Sequence, residues 1–236
     1  MKLFRDNEIS EPIRAGSVAD EFAKQRAEMI EKQLRRRGVS DSNVLAAMAA
    51  VRREEFVPRE FRNRAYEDGP LPIGEGQTIS QPYIVAAMTA ALHLAGNERV
   101  LEIGTGCGYQ AAILSQLAKV VFSIDSRSKL ASAAAMRLDR LGYKNVHVHC
   151  GDGTLGLPEL APFDCILVGA AAPAVPEPLC SQLAEGGRLI LPVGDAVDQE
   201  LCLIERQGNS FLTRTLESCR FVPLIGSYGW KEPPPR

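Results

Sequence analysis

Apolar positions recur along this chain with two different periods, and the change from one to the other divides it. Between Val18 and Arg37, Phe22, Ala23, Ala27, Met29, Ile30 and Leu34 fall mostly at helical spacing, and Gly38 follows as a stop. Ser40-Asp41 offers a cap for a second helix over Asn43 to Val51, with Val44, Leu45, Met48 and Ala49 on one face. Pro58, Gly69, Pro70, Pro72, Gly74 and Gly76 then break any period, so residues 57 to 80 are expected to be mostly loop.

Beyond that loop, helical stretches alternate with short apolar runs. The pattern predicts helices from Pro82 to Leu94, Tyr109 to Leu117, Lys129 to Leu141 and near Glu177 to Leu183. Strands are expected at Arg99 to Ile103, Val120 to Ile124, Val146 to Cys150, Phe163 to Gly169 and Arg188 to Pro192. Such alternation is the mark of an α/β, Rossmann-like, doubly wound and mostly parallel sheet, here preceded by helices. Glu200 to Glu205 and Phe211 to Phe221, around Gln207-Gly208-Asn209, read as a C-terminal antiparallel strand pair. The expected organisation is a flexible arm (1–18), one domain (19–226) and a tail (227–236). Within the domain, residues 19–80 form a helical and loop segment, and 81–226 form the sheet.

Composition narrows the functional classes. At 236 residues with 45% hydrophobic and 24% charged positions, the chain is long enough for one sizeable core and excludes disordered and fibrous classes. The net charge of −2 gives no electrostatic footprint for nucleic acid, and the run Arg35-Arg36-Arg37 reads as a solvated helix end. Six scattered cysteines without a C-x-x-C pair, and only three histidines, argue against a metal site. Cysteines inside apolar runs such as Asp164-Cys165-Ile166-Leu167-Val168 fit a reducing compartment, so the cytoplasm is expected. Neither an apolar leader nor a membrane-spanning run is evident.

Candidate chemistry begins at Leu101-Glu102-Ile103-Gly104-Thr105-Gly106-Cys107-Gly108-Tyr109-Gln110, three glycines at alternate positions between a strand and a helix. Backbone there can approach a ligand closely at the carboxyl edge of the sheet. A dinucleotide fingerprint needs glycine at 109, where Tyr109 stands, which counts against a nicotinamide cofactor. Glu102 and the G-x-G-x-G spacing, with Gly104 and Gly106 nearest the cofactor, resemble the first motif of S-adenosylmethionine-dependent methyltransferases. Asp125 ends the next strand, 21 residues beyond Gly104, where a carboxylate meets ribose hydroxyls; capping the following helix is the alternative. In Gly151-Asp152-Gly153, Asp152 can accept from an adenine amino group, or the triplet is a plain turn. After the fourth strand, Val168-Gly169-Ala170-Ala171-Ala172-Pro173 offers no polar or aromatic clamp for an amine or base.

The segment Leu71-Pro72-Ile73-Gly74-Glu75-Gly76-Gln77-Thr78-Ile79-Ser80-Gln81-Pro82-Tyr83 is more distinctive than the glycine loop. Together with that loop, Gly151-Asp152-Gly153, the stretch Gly186 to Gly194 and Phe221-Val222-Pro223-Leu224, it closely resembles protein-L-isoaspartate O-methyltransferases, from about residue 20 to residue 226. The resemblance implies methyl transfer from S-adenosyl-L-methionine to the free α-carboxylate of L-isoaspartyl residues in damaged proteins and peptides. The resulting ester closes to a succinimide that reopens partly to normal aspartate. It further implies Ser80 as the active-site residue contacting substrate, Thr78 and Ile79 in the adjoining cofactor wall, and Phe221 and Val222 along the substrate cleft. Gly153 joins the cofactor set, and no nucleic acid, membrane or stable partner is expected. The carboxylate acceptor is already deprotonated at neutral pH, so no general base is needed. By residue type alone, Ser80 ahead of Pro82 also reads as a helix N-cap. Three positions depart from the family pattern: Cys107 replaces a common serine, Arg52 a common proline, and Asp125-Ser126 an acidic-basic pair. A methyltransferase of the same fold acting on RNA or on a small-molecule carboxylate is one rival reading, and a cofactor-binding module without turnover that recruits damaged proteins is another.

Overall fold

A computed structural model describes residues 18–231. The expected N-terminal arm falls almost wholly outside them. Helix α1 (Val18–Met29) continues through a π-helical turn at Ile30–Leu34 and a 3-10 turn at Arg35–Arg37, so the single predicted helix changes pitch twice. Gly38 ends it in the left-handed region at φ +92°, a conformation that glycine adopts without a Cβ penalty. Helix α2 (Ser42–Ala50) is capped by Asp41, whose carboxylate accepts from the backbone N–H of Asn43 and Val44. A cap of this kind contributes about 1 kcal/mol.

The stretch expected to be loop holds a small hairpin. Strand β1 (Leu71–Gly74) pairs antiparallel with β2 (Gln77–Ile79) through a turn in which Gly74, Glu75 and Gly76 all have positive φ. Helix α3 (Pro82–Ala91) then leads into the sheet-forming half: β3 (Arg99–Ile103), α4 (Tyr109–Ser115), β4 (Val120–Asp125), α5 (Ser128–Arg140), β5 (Val146–Cys150), β6 (Phe163–Val168), α6 (Glu177–Ser181), β7 (Leu183–Gly194), β8 (Gln199–Gln207) and β9 (Ser210–Cys219). Sheet order is β5-β4-β3-β6-β7-β8-β9. The first five of these run parallel, while β8 and β9 return antiparallel around the turn at Gly208. Strand β7 is longer than expected because its pairing with β6 slips between Phe163 and Cys165 and resumes at Arg188.

The sheet separates two apolar clusters, as the period-two pattern requires. Val100, Cys165, Leu167 and Ile190 face α2, α3 and α4 on one side. Leu101, Ile166, Val168, Leu189 and Leu191 face the other side with Leu179 of α6. Order reverses between β3 and β6, which leave in opposite directions from the centre, and a crevice opens at their carboxyl ends. All six cysteines are free thiols among the described residues, and Cys107 and Cys165 are buried.

Candidate active site

The glycine loop leaves β3 at that crevice. Gly104, Gly106 and Gly108 all take positive φ, and Gly106 has room only because it lacks a side chain: a Cβ there would meet the Ile73 Cδ1 of the hairpin at 3.3 Å. Across the switch point, Gly169 donates its N–H to the Ile103 carbonyl at 2.8 Å, so its own backbone forms the floor. The loop is tied to the next strand by Asp125, whose Oδ2 accepts from Gly106 N at 2.8 Å while Oδ1 accepts from Arg127 N at 2.9 Å. Asp125 therefore braces the loop and closes the turn ahead of α5, whose N-cap is Arg127. Each of its oxygens keeps a lone pair free for a ligand.

Three recesses meet at this point. A cleft of about 620 Å³ is walled by Ser80, Tyr83, Glu217, Phe221, Val222 and Trp230. A narrow recess beside it takes in Thr78, Ile79, Ser80, Glu102, Gly104, Gly106 and Phe221. Another runs along Thr78, Gly104, Gly106, Asp125, Gly153 and Val222. Thr78 and Gly169 border all three, so the structure brings nearly all of the predicted site residues to one junction.

Asp152 stands apart. Its Oδ1 accepts from the N–H and hydroxyl of Thr154, and its Oδ2 accepts from Ser227 N at 2.8 Å. These donors outweigh partial burial and hold its carboxyl below the usual range. Its neighbour Gly153 does face the recess, with Ile103 Cγ2 packed against the place of a missing Cβ. Asp152 instead fixes the C-terminal segment, whose residues 227–231 were expected to be a tail outside the fold. That segment is built in: Trp230 donates its backbone N–H to Leu224 O and its indole N–H to Ala171 O, and its ring lines the large cleft.

Ser80 does not cap α3. The N-cap is Gln81 and no side chain bonds the helix end, while Pro82 takes the first turn as predicted. The Ser80 hydroxyl is thereby left to the cleft it lines.

Glu102 is 1% exposed, and burial pushes its carboxyl up to about 8. Its Oε2 accepts from Ser123 Oγ at 2.5 Å, and Ser123 shares a 2.6 Å hydrogen bond with Thr105 of the loop. The other oxygen, Oε1, has no protein partner. Unpartnered buried acceptors are uncommon, and this one borders the narrow recess, where a cationic donor would satisfy it.

Sequence reasoning missed the support behind these groups. Arg53, Glu54 and Tyr66 sit in a segment whose charge reads as surface, and Ser123 is a lone polar residue in an apolar strand, yet all four are buried. Tyr66 donates to Glu54 Oε2 and accepts from Arg26 at 2.9 Å, pinning α1 against the loop that precedes the hairpin. Arg53 reaches the Ser80 carbonyl. Only the partnering rule for buried polar groups, applied once burial is known, marks them out.

A bare glycine loop facing a strand-end carboxylate, with a buried acceptor waiting for a cation, fits a sulfonium nucleoside and defines an S-adenosylmethionine-dependent methyltransferase of Rossmann-like fold. Residues 24–229 match the family model described as Protein-L-isoaspartate(D-aspartate) O-methyltransferase, and the chain belongs to that family. Among similar curated proteins, the protein-L-isoaspartate O-methyltransferase 1 of Syntrophobacter fumaroxidans is 53% identical over 89% of this chain and 98% of its own. That of Roseiflexus castenholzii is 55% identical over 89% and 96%. A solved protein-L-isoaspartate O-methyltransferase superposes with a TM-score of 0.79 at 33% identity, covering 86% of this chain and 67% of the other. A Plasmodium falciparum structure described as the same enzyme, in complex with S-adenosyl-L-homocysteine, gives 0.74 at 26% identity over 85% and 98%. The protein is a methyltransferase that uses S-adenosyl-L-methionine to methylate isoaspartyl residues.

Proposed function

We propose that the large cleft binds the isoaspartyl segment of a damaged protein or peptide, and that Ser80 holds its α-carboxylate at the junction of the three recesses. What supports this reading is that Ser80 and Thr78 border both the cleft and the glycine-loop recess, where substrate and cofactor can meet. S-adenosyl-L-methionine, when bound, supplies a methyl group on a sulfonium centre. Asp125 would accept from its ribose hydroxyls, Glu102 Oε1 from its ammonium group, and Gly104, Gly106 and Gly153 would let its nucleoside approach the backbone. Thr78 and Ile79 would form the adjoining wall.

The Ser80 hydroxyl donates to one carboxylate oxygen and leaves the other aligned for attack. It has no nucleophilic role, because an in-line displacement by the carboxylate needs none. The acceptor is ionised at neutral pH, so no residue has to remove a proton. The protein's contribution is alignment and exclusion of water. The segment Phe221 to Pro223 that follows β9 borders the cleft, and it is tied to Ala171, which donates to Val222 O and accepts from Leu224 N. Main-chain groups presented in this way are indifferent to side chains, which suits an enzyme meeting many damaged sequences.

The finer reading is a protein-repair enzyme of the cytoplasm, acting on isoaspartyl proteins and peptides without nucleic acid, membrane or stable partner. Six unpaired cysteines accord with a reducing compartment, and among the described residues no helix is long and apolar enough to cross a membrane. Methyl transfer from labelled S-adenosylmethionine to an L-isoaspartyl peptide and to its normal aspartyl counterpart tests the substrate. Label on the isoaspartyl peptide alone is expected. Equal labelling of both would remove the specificity, and transfer to RNA or to a free carboxylic acid instead would establish the first rival.

A further inference from the structure

We propose that Arg53 is a positioning residue for the methyl transfer, acting through the Ser80 main chain. Arg53 lies in the 3-10 turn Arg53–Glu55 that follows α2. Its side chain is the largest among the fully buried ones, at 0% exposure, and among the described residues it forms no ion pair. Burial of a charge without a counter-ion is costly, and a neutral side chain of similar volume would fill the space with less penalty. Two of its three nitrogens donate to carbonyl groups, while Nη1 has no hydrogen-bond partner. Nε donates to Ala65 O at 2.7 Å, and Nη2 donates to Ser80 O at 2.7 Å. Its Cζ rests 4.9 Å from the centre of the Tyr109 ring, and Tyr109 is the residue that follows the glycine loop.

One rigid, planar group thus links three pieces of chain that have no covalent proximity: the loop at Ala65, the segment carrying Ser80, and the start of α4 behind Gly108. Fixing the Ser80 carbonyl fixes the peptide plane between Ser80 and Gln81. Together with the backbone torsions of Ser80, that limits where the Cα–Cβ bond carrying the hydroxyl can point. The contact with the Tyr109 ring ties this assembly to the residue that follows the glycine loop. A lysine at this position carries the charge but cannot present two donors in the fixed fork that two separate carbonyls require. Loss of the fork would let Ser80 drift, and displacement by about 1 Å at a reacting centre costs up to about a hundredfold in rate.

The proposal rests on the reading of Ser80 given above, and the test separates the two. Steady-state methyl transfer to an L-isoaspartyl peptide is measured for wild type, Arg53→Lys, Ser80→Ala and the double variant, with S-adenosylhomocysteine affinity by calorimetry. Expected for Arg53→Lys is a fall in kcat of about tenfold to a hundredfold. Cofactor-product affinity stays within about threefold of wild type, and no further loss of kcat appears when Arg53→Lys is added to Ser80→Ala. Wild-type kcat in Arg53→Lys, or an equal fall in both backgrounds, would overturn a role through Ser80. A parallel loss of kcat and affinity would make Arg53 a purely structural residue. Unchanged turnover in Ser80→Ala alone would remove the reading of Ser80 itself, and with it this one. Arg53→Gln, which keeps one donor without the charge, replaces Arg53→Lys if the latter does not fold. Failure of both to fold would overturn the positioning role.

Discussion

Gly106 gives its backbone N–H to Asp125 Oδ2 at 2.8 Å, so the glycine loop and the acid at the end of the next strand form one braced unit although 19 residues separate them. Asp125 is 6% exposed and has two backbone donors, which fixes the orientation of its carboxylate before any ligand arrives. Asp125→Ala removes both the brace and the acceptor. Cofactor affinity should weaken by about 2 to 4 kcal/mol, the scale of a pair of charge-assisted hydrogen bonds. Titration calorimetry with S-adenosylhomocysteine reads this directly, and unchanged affinity would take Asp125 out of the cofactor site.

Ser80→Ala should lower kcat for an isoaspartyl peptide by about tenfold or more while leaving the cofactor dissociation constant within a factor of about two. The melting temperature should stay close to wild type, because the hydroxyl caps no helix. Thermal denaturation beside the kinetics settles the matter: a large drop in melting temperature with equal loss of both constants would assign the hydroxyl to the fold.

Glu102 makes stability depend on pH in an unusual direction for a carboxylate. Burial raises its folded pKa to about 8, above an unfolded value near the ordinary glutamate range. Its neutral form is therefore the one the fold prefers. The associated stability is complete below about pH 4 and is lost as pH rises through about 8. Ligand-free enzyme should lose stability across that window, and Glu102→Gln should flatten this part of the profile. Binding of a cationic amino group beside Oε1 favours the ionised form, so cofactor binding at pH 7 should release a proton. Calorimetry in buffers of different ionisation enthalpy measures that release, and its persistence in Glu102→Gln would assign it elsewhere.

Asp152→Ala should free the C-terminal segment by removing the acceptor of Ser227 N. Limited proteolysis near Tyr228, which is 49% exposed, should accelerate, and the KM for peptide should rise because Trp230 lines the cleft. The depressed pKa works in the opposite sense to that of Glu102: the stabilisation is present above the ordinary aspartate pKa and is lost as pH falls through the lower folded value. Wild-type enzyme should therefore show the same increase in cleavage only in buffer acidic enough to protonate Asp152, below the ordinary aspartate value of about 4.

Four of the five parallel strands were readable almost to the residue; β7 was not, because its pairing with β6 slips between Phe163 and Cys165. Runs such as Cys165 to Val168 are buried on both faces, and continuous apolar sequence is what that environment demands. The hairpin at 71–79 was not readable, because strands of four and three residues containing Pro72 and bounded by glycines look like loop. The site divides in the same way. Glycines and strand-end acids carry their signal in spacing, so Gly104, Gly106 and Asp125 stood out. Arg53 in Arg52-Arg53-Glu54-Glu55 carries none: its partners are carbonyl groups, which every residue possesses, and only the folded chain brings them to it.

Cys107 occupies the middle of the glycine loop, with its carbonyl held by Arg137 and its thiol pushed up by burial. A thiol kept protonated is a poor nucleophile, so peroxides and alkylating reagents meet little reactivity there even at mildly alkaline pH. Cys165, pushed up to about 12, is shielded in the same way, whereas Cys150 is exposed at the end of β5. Surface sulfur at Cys150 is thus the more accessible target for an oxidant, while the glycine loop carries a shielded thiol.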